Sequence, residues 1–126
     1  MKVILDTSIW IEFFKGKSEY FEICQQLLEN GQVTTIEIIF AELLQGALNM
    51  REVEMIKAYF ELVPKVEIEQ LYILSGEFSK NEKLMSKGIG LIDACIMTAT
   101  IRSKARLWTL DKKIKTHLHP DFLFVY

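Results

Sequence analysis

Four acidic side chains in this sequence stand where charge is costly, and their surroundings suggest a shared chemistry. Asp93 is the only charged residue in "GIGLIDACIMTATI", positions 88–101, a stretch apolar enough to be packed on most sides. An unpaired carboxylate buried there would be strongly unfavourable, although a place in the first helical turn lets the helix dipole offset part of the cost. Glu42 lies in "IIFAELLQGAL", with Ile38 and Ile39 one turn before it and Gly46 one turn after. Residues at that spacing share a face, so Glu42 projects from a partly apolar stripe, with Ala41 and Gly46 leaving room for a neighbour. Asp6 follows the apolar run Val3-Ile4-Leu5, and Asp111 follows "RLWTL" in the same strand-then-acid order. Singly, each has an ordinary reading as a helix cap, a dipole-stabilised Asp or a solvated Glu. Converging, four carboxylates repel one another and become tolerable only with bound protons or a multivalent cation. Hard divalent cations take oxygen ligands, and such centres serve phosphoryl chemistry.

The elements that must position these acids follow from periodicity and turn signals. Strands are expected over 2–5, around Val33, over 63–66, 106–109 and 122–126. Helices are expected over 8–14, 18–30, from a Thr34-x-x-Glu37 capping box to about Leu48, over 51–62, 69–86 and 91–104, with a helical turn over 112–117. Gly31 and Gly88 stand where C-terminal caps belong. Strands alternating with helices imply an α/β fold with a parallel sheet, whose ligand crevice lies outside the carboxyl ends of the strands. Asp6 and Asp111 would both land on that edge.

The 126 residues suit one domain with a real core, and half of them are hydrophobic. The net charge of −2 does not by itself announce a nucleic-acid binder, because clustered site acids can mask a local basic face. Cys24 and Cys95 lie far apart among apolar neighbours and read as buried free thiols. The first residues lack the pattern of a signal peptide, and the apolar stretch over 91–101 is too short to span a membrane, so a cytoplasmic location is expected. His117-x-His119 lacks further spaced ligands and reads as a surface turn rather than a zinc site.

Four blocks together, "VILDTSIWIEFF", "TTIEIIFAELLQGA", "GIGLIDACIMTATI" and "LWTLDKKI", resemble the PIN-domain ribonucleases, above all the small VapC-type toxins of toxin–antitoxin pairs. The resemblance spans essentially the whole chain, with the blocks in the family's order. It implies a single PIN domain over 1–126, a three-layer fold with a central, mostly parallel sheet of four or five strands flanked by helices. It implies that Asp6, Glu42, Asp93 and Asp111 are the catalytic acids. Asp6 and Asp93 would bind Mg²⁺ or Mn²⁺, with Glu42 and Asp111 reaching it directly or through water. Ser8 and Thr109 would support the first and last acids. The family hydrolyses RNA phosphodiesters, leaving 5′-phosphate and 3′-hydroxyl ends. Many relatives carry a polar or acidic residue and then an aromatic where this chain has Lys113 and Ile114, so occupancy by one ion or two stays open.

The same resemblance implies a homodimer and a cognate antitoxin whose C-terminal segment covers helical grooves and the active site. Trp10, Phe13 and Phe14 suit either such a groove or the core. RNA needs positive charge, and Lys15, Lys17, Lys112 and Lys113 follow the first and last acids closely enough to supply it. Two other classes compete: a PIN nuclease of RNA processing outside any toxin–antitoxin pair, and a phosphoacceptor signalling domain. The latter needs an acid after a middle strand, where this chain has Thr34 and Thr35.

Overall fold

The computed structural model describes residues 1–16 and 18–126. Its centre is β1 (Val3–Leu5), whose three side chains are fully buried. β1 pairs in parallel with β2 (Val33–Thr34) on one edge and with β3 (Arg106–Trp108) on the other, giving the order β2-β1-β3. Ile4 lies opposite both Thr34 and Leu107. A strand with partners on both edges and helices over the sheet has no wet face, which is why Val3-Ile4-Leu5 is apolar without alternation. Since all three strands run the same way, their carboxyl ends share one edge, and Asp6, Thr35 and Thr109 begin the connections leaving it.

The sheet is narrower than the expected four or five strands. Segments 63–66 and 122–126 contribute single parallel bridges, Thr35 with Lys65 and Leu107 with Leu123. Pro64 has no amide to extend a ladder, and its carbonyl accepts from the Thr35 amide instead. The last segment opens with a 3₁₀ turn, Pro120–Phe122, which leaves only Leu123 and the Phe124 amide to reach Leu107.

Seven helices surround this sheet among the described residues: α1 (Thr7–Phe14), α2 (Ser18–Glu29), α3 (Glu37–Gln45), α4 (Met50–Leu62), α5 (Leu71–Asn81), α6 (Leu91–Arg102) and α7 (Lys112–His117). Two depart from expectation. The capping box does not form, because Thr34 belongs to β2 and its hydroxyl donates to the Pro64 carbonyl at 2.9 Å. The N-cap of α3 is therefore Ile36, with no side-chain bond, and the exit from the sheet sets where the helix begins. The long helix expected over 69–86 is interrupted, since Gln70 and Lys83 both adopt left-handed backbone and a 3₁₀ turn, Met85–Lys87, follows α5. The break turns Leu84 and Ile89 into the core, where each is about 1% exposed.

The α1 aromatics divide between the two roles proposed for them. Trp10 is fully buried, with ring centroids of Phe14, Phe40 and Tyr59 at 5.6, 5.1 and 5.8 Å. Phe13 is buried against Phe21 and Tyr59, whereas Phe14 is only partly buried. Residues 94–100 of α6 are all buried, and α5 packs along that helix. Cys24 and Cys95 are free and buried, and burial pushes the Cys24 thiol up to about 12. Among the described residues no helix is long and apolar enough to cross a membrane. If Trp10 is the anchor of this core, Trp10→Ala should lower unfolding free energy by about 3–5 kcal/mol in a urea titration.

Candidate metal centre

Asp6 occupies the N-cap position of α1 yet makes no side-chain cap bond. Its main-chain carbonyl accepts from the amides of Ile9 and Trp10 at 3.0 and 3.1 Å, so α1 starts without the carboxylate. The carboxylate is held by two hydroxyls instead, Ser8 Oγ at 2.9 Å and Thr109 Oγ1 at 2.6 Å, both donating to Oδ2. Each hydroxyl in turn accepts an amide from the turn after β3: Leu110 N to Ser8 at 3.1 Å and Asp111 N to Thr109 at 3.0 Å. These charge-assisted bonds stitch the ends of β1 and β3 together and aim Asp6, which is 6% exposed. Because both hydroxyls choose Oδ2, Oδ1 is committed to neither.

Glu42 lies half-buried on α3 and accepts from Thr7 Oγ1 at 2.7 Å through Oε1. Thr7 is a residue that the sequence pattern does not single out. The missed signal is that the first residue of α1 stands beside the strand end and needs no hydroxyl for the cap, since the Asp6 carbonyl already serves it. Asp111 is the N-cap of α7, its Oδ1 accepting from Lys113 N at 2.8 Å and Ile114 N at 3.1 Å. It is thus a helix cap with one carboxylate oxygen occupied.

Asp93 sits half-buried in the first turn of α6. Its carboxyl is pushed up from 3.8 to about 6, first by burial and then by the charges of Asp6, Asp111 and Glu42, with Lys113 opposing. The fold therefore brings Asp6, Glu42 and Asp111 within electrostatic reach of Asp93. Among the described residues, however, no three His, Cys, Asp or Glu side chains converge tightly enough to hold a metal ion unaided. Asp6, Glu42 and Asp111 are each held by separate donors. An open, oxygen-only set of this kind fits Mg²⁺ or Mn²⁺, which keep several waters and take few carboxylates, better than a closed cage for zinc.

The expected cations are dispersed around this edge. Lys113 Nζ donates to the Gly88 carbonyl at 3.4 Å, Lys15 pairs with Glu12 at 3.8 Å, and Lys112 is exposed. Lys17 lies outside the described residues. His117 and His119 are exposed, and His119 Nδ1 accepts from the Asp121 amide, as a surface turn would have it. Beside Glu42 an open groove of about 310 Å³ is lined by Ile11, Phe14, Lys15, Gly46 and Met55.

A parallel sheet with acids at its carboxyl edge is the architecture of a known class, and a family model described as PIN domain matches residues 3–117. The chain belongs to the PIN-domain family. Among solved structures it is similar to VapBC2 from Rickettsia felis bound to a DNA fragment from their promoter, with a TM-score of 0.75, 21% identity, and coverage of 98% of this chain and 96% of that one. It is also similar to VapBC-1 from nontypeable Haemophilus influenzae, with a TM-score of 0.71, 26% identity, and coverage of 93% and 92%. No curated protein matches the sequence significantly.

The raised carboxyl of Asp93 has a measurable sign. A folded-state value of about 6 against an ordinary 3.8 means that Asp93 contributes stability below about pH 4, which is lost as pH rises through 6. In metal-free buffer, Asp93→Asn should therefore melt higher than wild type at neutral pH, with the advantage shrinking as pH falls from about 6 to 4. A difference independent of pH would contradict this account of the site.

Proposed function

We propose that this protein is a metal-dependent endoribonuclease of the PIN family that acts as the toxin of a toxin–antitoxin pair in the cytoplasm. The observation that carries the reading is the mutual electrostatic coupling of Asp93 with Asp6, Glu42 and Asp111, oxygen donors from three separate elements and a strand end meeting at the carboxyl edge of the sheet. Asp6 and Asp93 would hold Mg²⁺ or Mn²⁺, with Glu42 and Asp111 reaching it directly or through water. When bound, the ion supplies Lewis-acid activation of water and neutralises charge developing on the phosphate.

The chain's own residues set the geometry. Ser8 and Thr109 fix the Asp6 carboxylate through Oδ2 and leave Oδ1 for the ion. Thr7 holds Glu42 Oε1 and so orients its second oxygen. Asp111 keeps its Oδ1 on α7, so Oδ2 is the oxygen it would offer the ion or its water. Asp93 must lose its proton to serve as a ligand, so metal affinity should rise with pH through about 6. Lys15, Lys112 and Lys113 would attract the RNA backbone.

A partner follows from the same reading. The VapBC names of the two structural relatives support a cognate antitoxin, and the groove lined by Ile11, Phe14 and Met55 beside Glu42 offers apolar surface for its segment. A homodimer is proposed on the same family grounds. The signalling alternative gains no support: Thr34 and Thr35 at the end of β2 give their hydroxyls to the Pro64 and Ile36 carbonyls, where that class needs an acid.

Controlled expression of wild type and Asp6→Asn in bacteria, followed by RNA end-mapping, tests the function. Growth arrest with new 5′-phosphate ends in wild type alone is expected; equal arrest by the variant would refute the assignment. With purified protein, millimolar Mn²⁺ should raise the melting temperature of wild type and not of Asp6→Asn. Removing a supporting hydroxyl with Thr109→Val should weaken Mn²⁺ binding about 10- to 100-fold by calorimetry.

A further inference from the structure

Gly88 ends the 3₁₀ turn that leads into α6, with φ at 77°, a backbone that side chains rarely adopt. It is also a steric vacancy with an occupant. A Cβ built at Gly88 would lie 2.8 Å from Lys113 Nζ and 3.5 Å from its Cε. The ammonium fills the space of the missing methyl and donates to the Gly88 carbonyl at 3.4 Å. The main chain of the same lysine is tied too, its amide donating to Asp111 Oδ1 at 2.8 Å. One carbonyl at that distance is a weak partner, so it does not explain by itself why a long flexible side chain lies here. Two bonds of the lysine place it at the centre: its amide holds Asp111, and its ammonium sits on the turn that leads into the helix bearing Asp93, whose carboxyl its charge lowers. The side chain is nevertheless exposed and so remains reachable by a ligand.

We infer that Lys113, seated on Gly88, is the resident second cation of this centre: its ammonium meets a phosphate of the RNA and takes the place of a second divalent ion. The inference rests on the ribonuclease reading given above. A lysine ammonium is a compact point charge and an effective phosphate binder, and its flexible stem lets it move from the Gly88 carbonyl to a phosphate oxygen. Its position has opposite consequences for the two ligands of the site. It repels a divalent cation approaching the acids and attracts the phosphodiester. One ion per chain is then the expected stoichiometry.

The test exploits those opposite signs. At about pH 8, where Asp93 is ionised, Mn²⁺ binding to the full chain is measured by calorimetry for wild type, Lys113→Met, Lys113→Arg and Lys112→Met. Binding of a short single-stranded RNA of mixed sequence is measured for the same proteins in Ca²⁺. Wild type should bind one Mn²⁺. Lys113→Met should bind Mn²⁺ about three- to tenfold more tightly, or take a second ion, while RNA affinity falls by about tenfold. Lys113→Arg should keep RNA affinity near wild type, and Lys112→Met should change Mn²⁺ binding little. Equal effects from Lys112→Met and Lys113→Met would make this a diffuse basic surface and overturn the inference. So would tighter Mn²⁺ with undiminished RNA binding, since Lys113 would then be only a competitor of the metal. Failure of wild type to bind Mn²⁺ at all would instead remove the ribonuclease reading beneath it.

Discussion

Like-charge repulsion among four carboxylates is the constraint that this fold is arranged to withstand. Like charges brought this near one another favour separation, and at Asp93 they add to burial in favouring the protonated form. Each is opposed by something specific. Two hydroxyls hold Asp6, one hydroxyl holds Glu42, two amides hold Asp111, and the first turn of α6 supports Asp93 through its dipole. The compensation is incomplete at Asp93, where burial adds to the repulsion. That is where the electrostatic strain of the centre collects.

The core exists in part to keep those supports from yielding. β1 is buried and paired on both edges, so Asp6 cannot slide along the sheet without breaking two ladders. Trp10 locks α1 against Phe40 of α3 and Tyr59 of α4, and α1 is the helix that carries Thr7 and Ser8. The same ring cluster therefore connects the Asp6 turn with the helix bearing Glu42. The body of α6 is buried through seven consecutive residues, 94–100, so Asp93 has little freedom to withdraw into solvent. Packing and charge are thus opposed terms that meet at one edge.

What could be read in the sequence was what depends on local pattern. The unbroken apolar run Val3-Ile4-Leu5, the isolated charge at Asp93 and the strand-then-acid order at Asp111 each carry a signal within a few residues. Gly88 and Gly31 were legible for the same reason, both adopting positive φ at helix ends. The two missing strands have local causes in Pro64 and the Pro120–Phe122 turn, whereas the other departures involve a distant partner. Thr34 has the chemistry of a capping box, but Pro64, far along the chain, accepts its hydroxyl. The periodic pattern over 69–86 is helical throughout, yet burial of Leu84 and Ile89 outweighs a continuous helix and leaves Lys83 at a positive φ. Thr7 was overlooked because nothing near it in sequence identifies Glu42 as its acceptor. Local rules gave the acids; tertiary contacts gave their supports.

The bond from Thr109 to Asp6 joins positions 103 residues apart. During synthesis Thr109 leaves the ribosome 103 residues after Asp6. Until β3 docks on β1, the Asp6 carboxylate lacks its shorter hydroxyl bond, and Ser8 lacks the Leu110 amide that fixes it. A nascent or truncated chain carries all the residues of the N-terminal acid turn without its geometry. Order of translation thereby becomes a timer: the centre is set only once the chain through β3 and the turn after it has been made, and shorter fragments cannot set it.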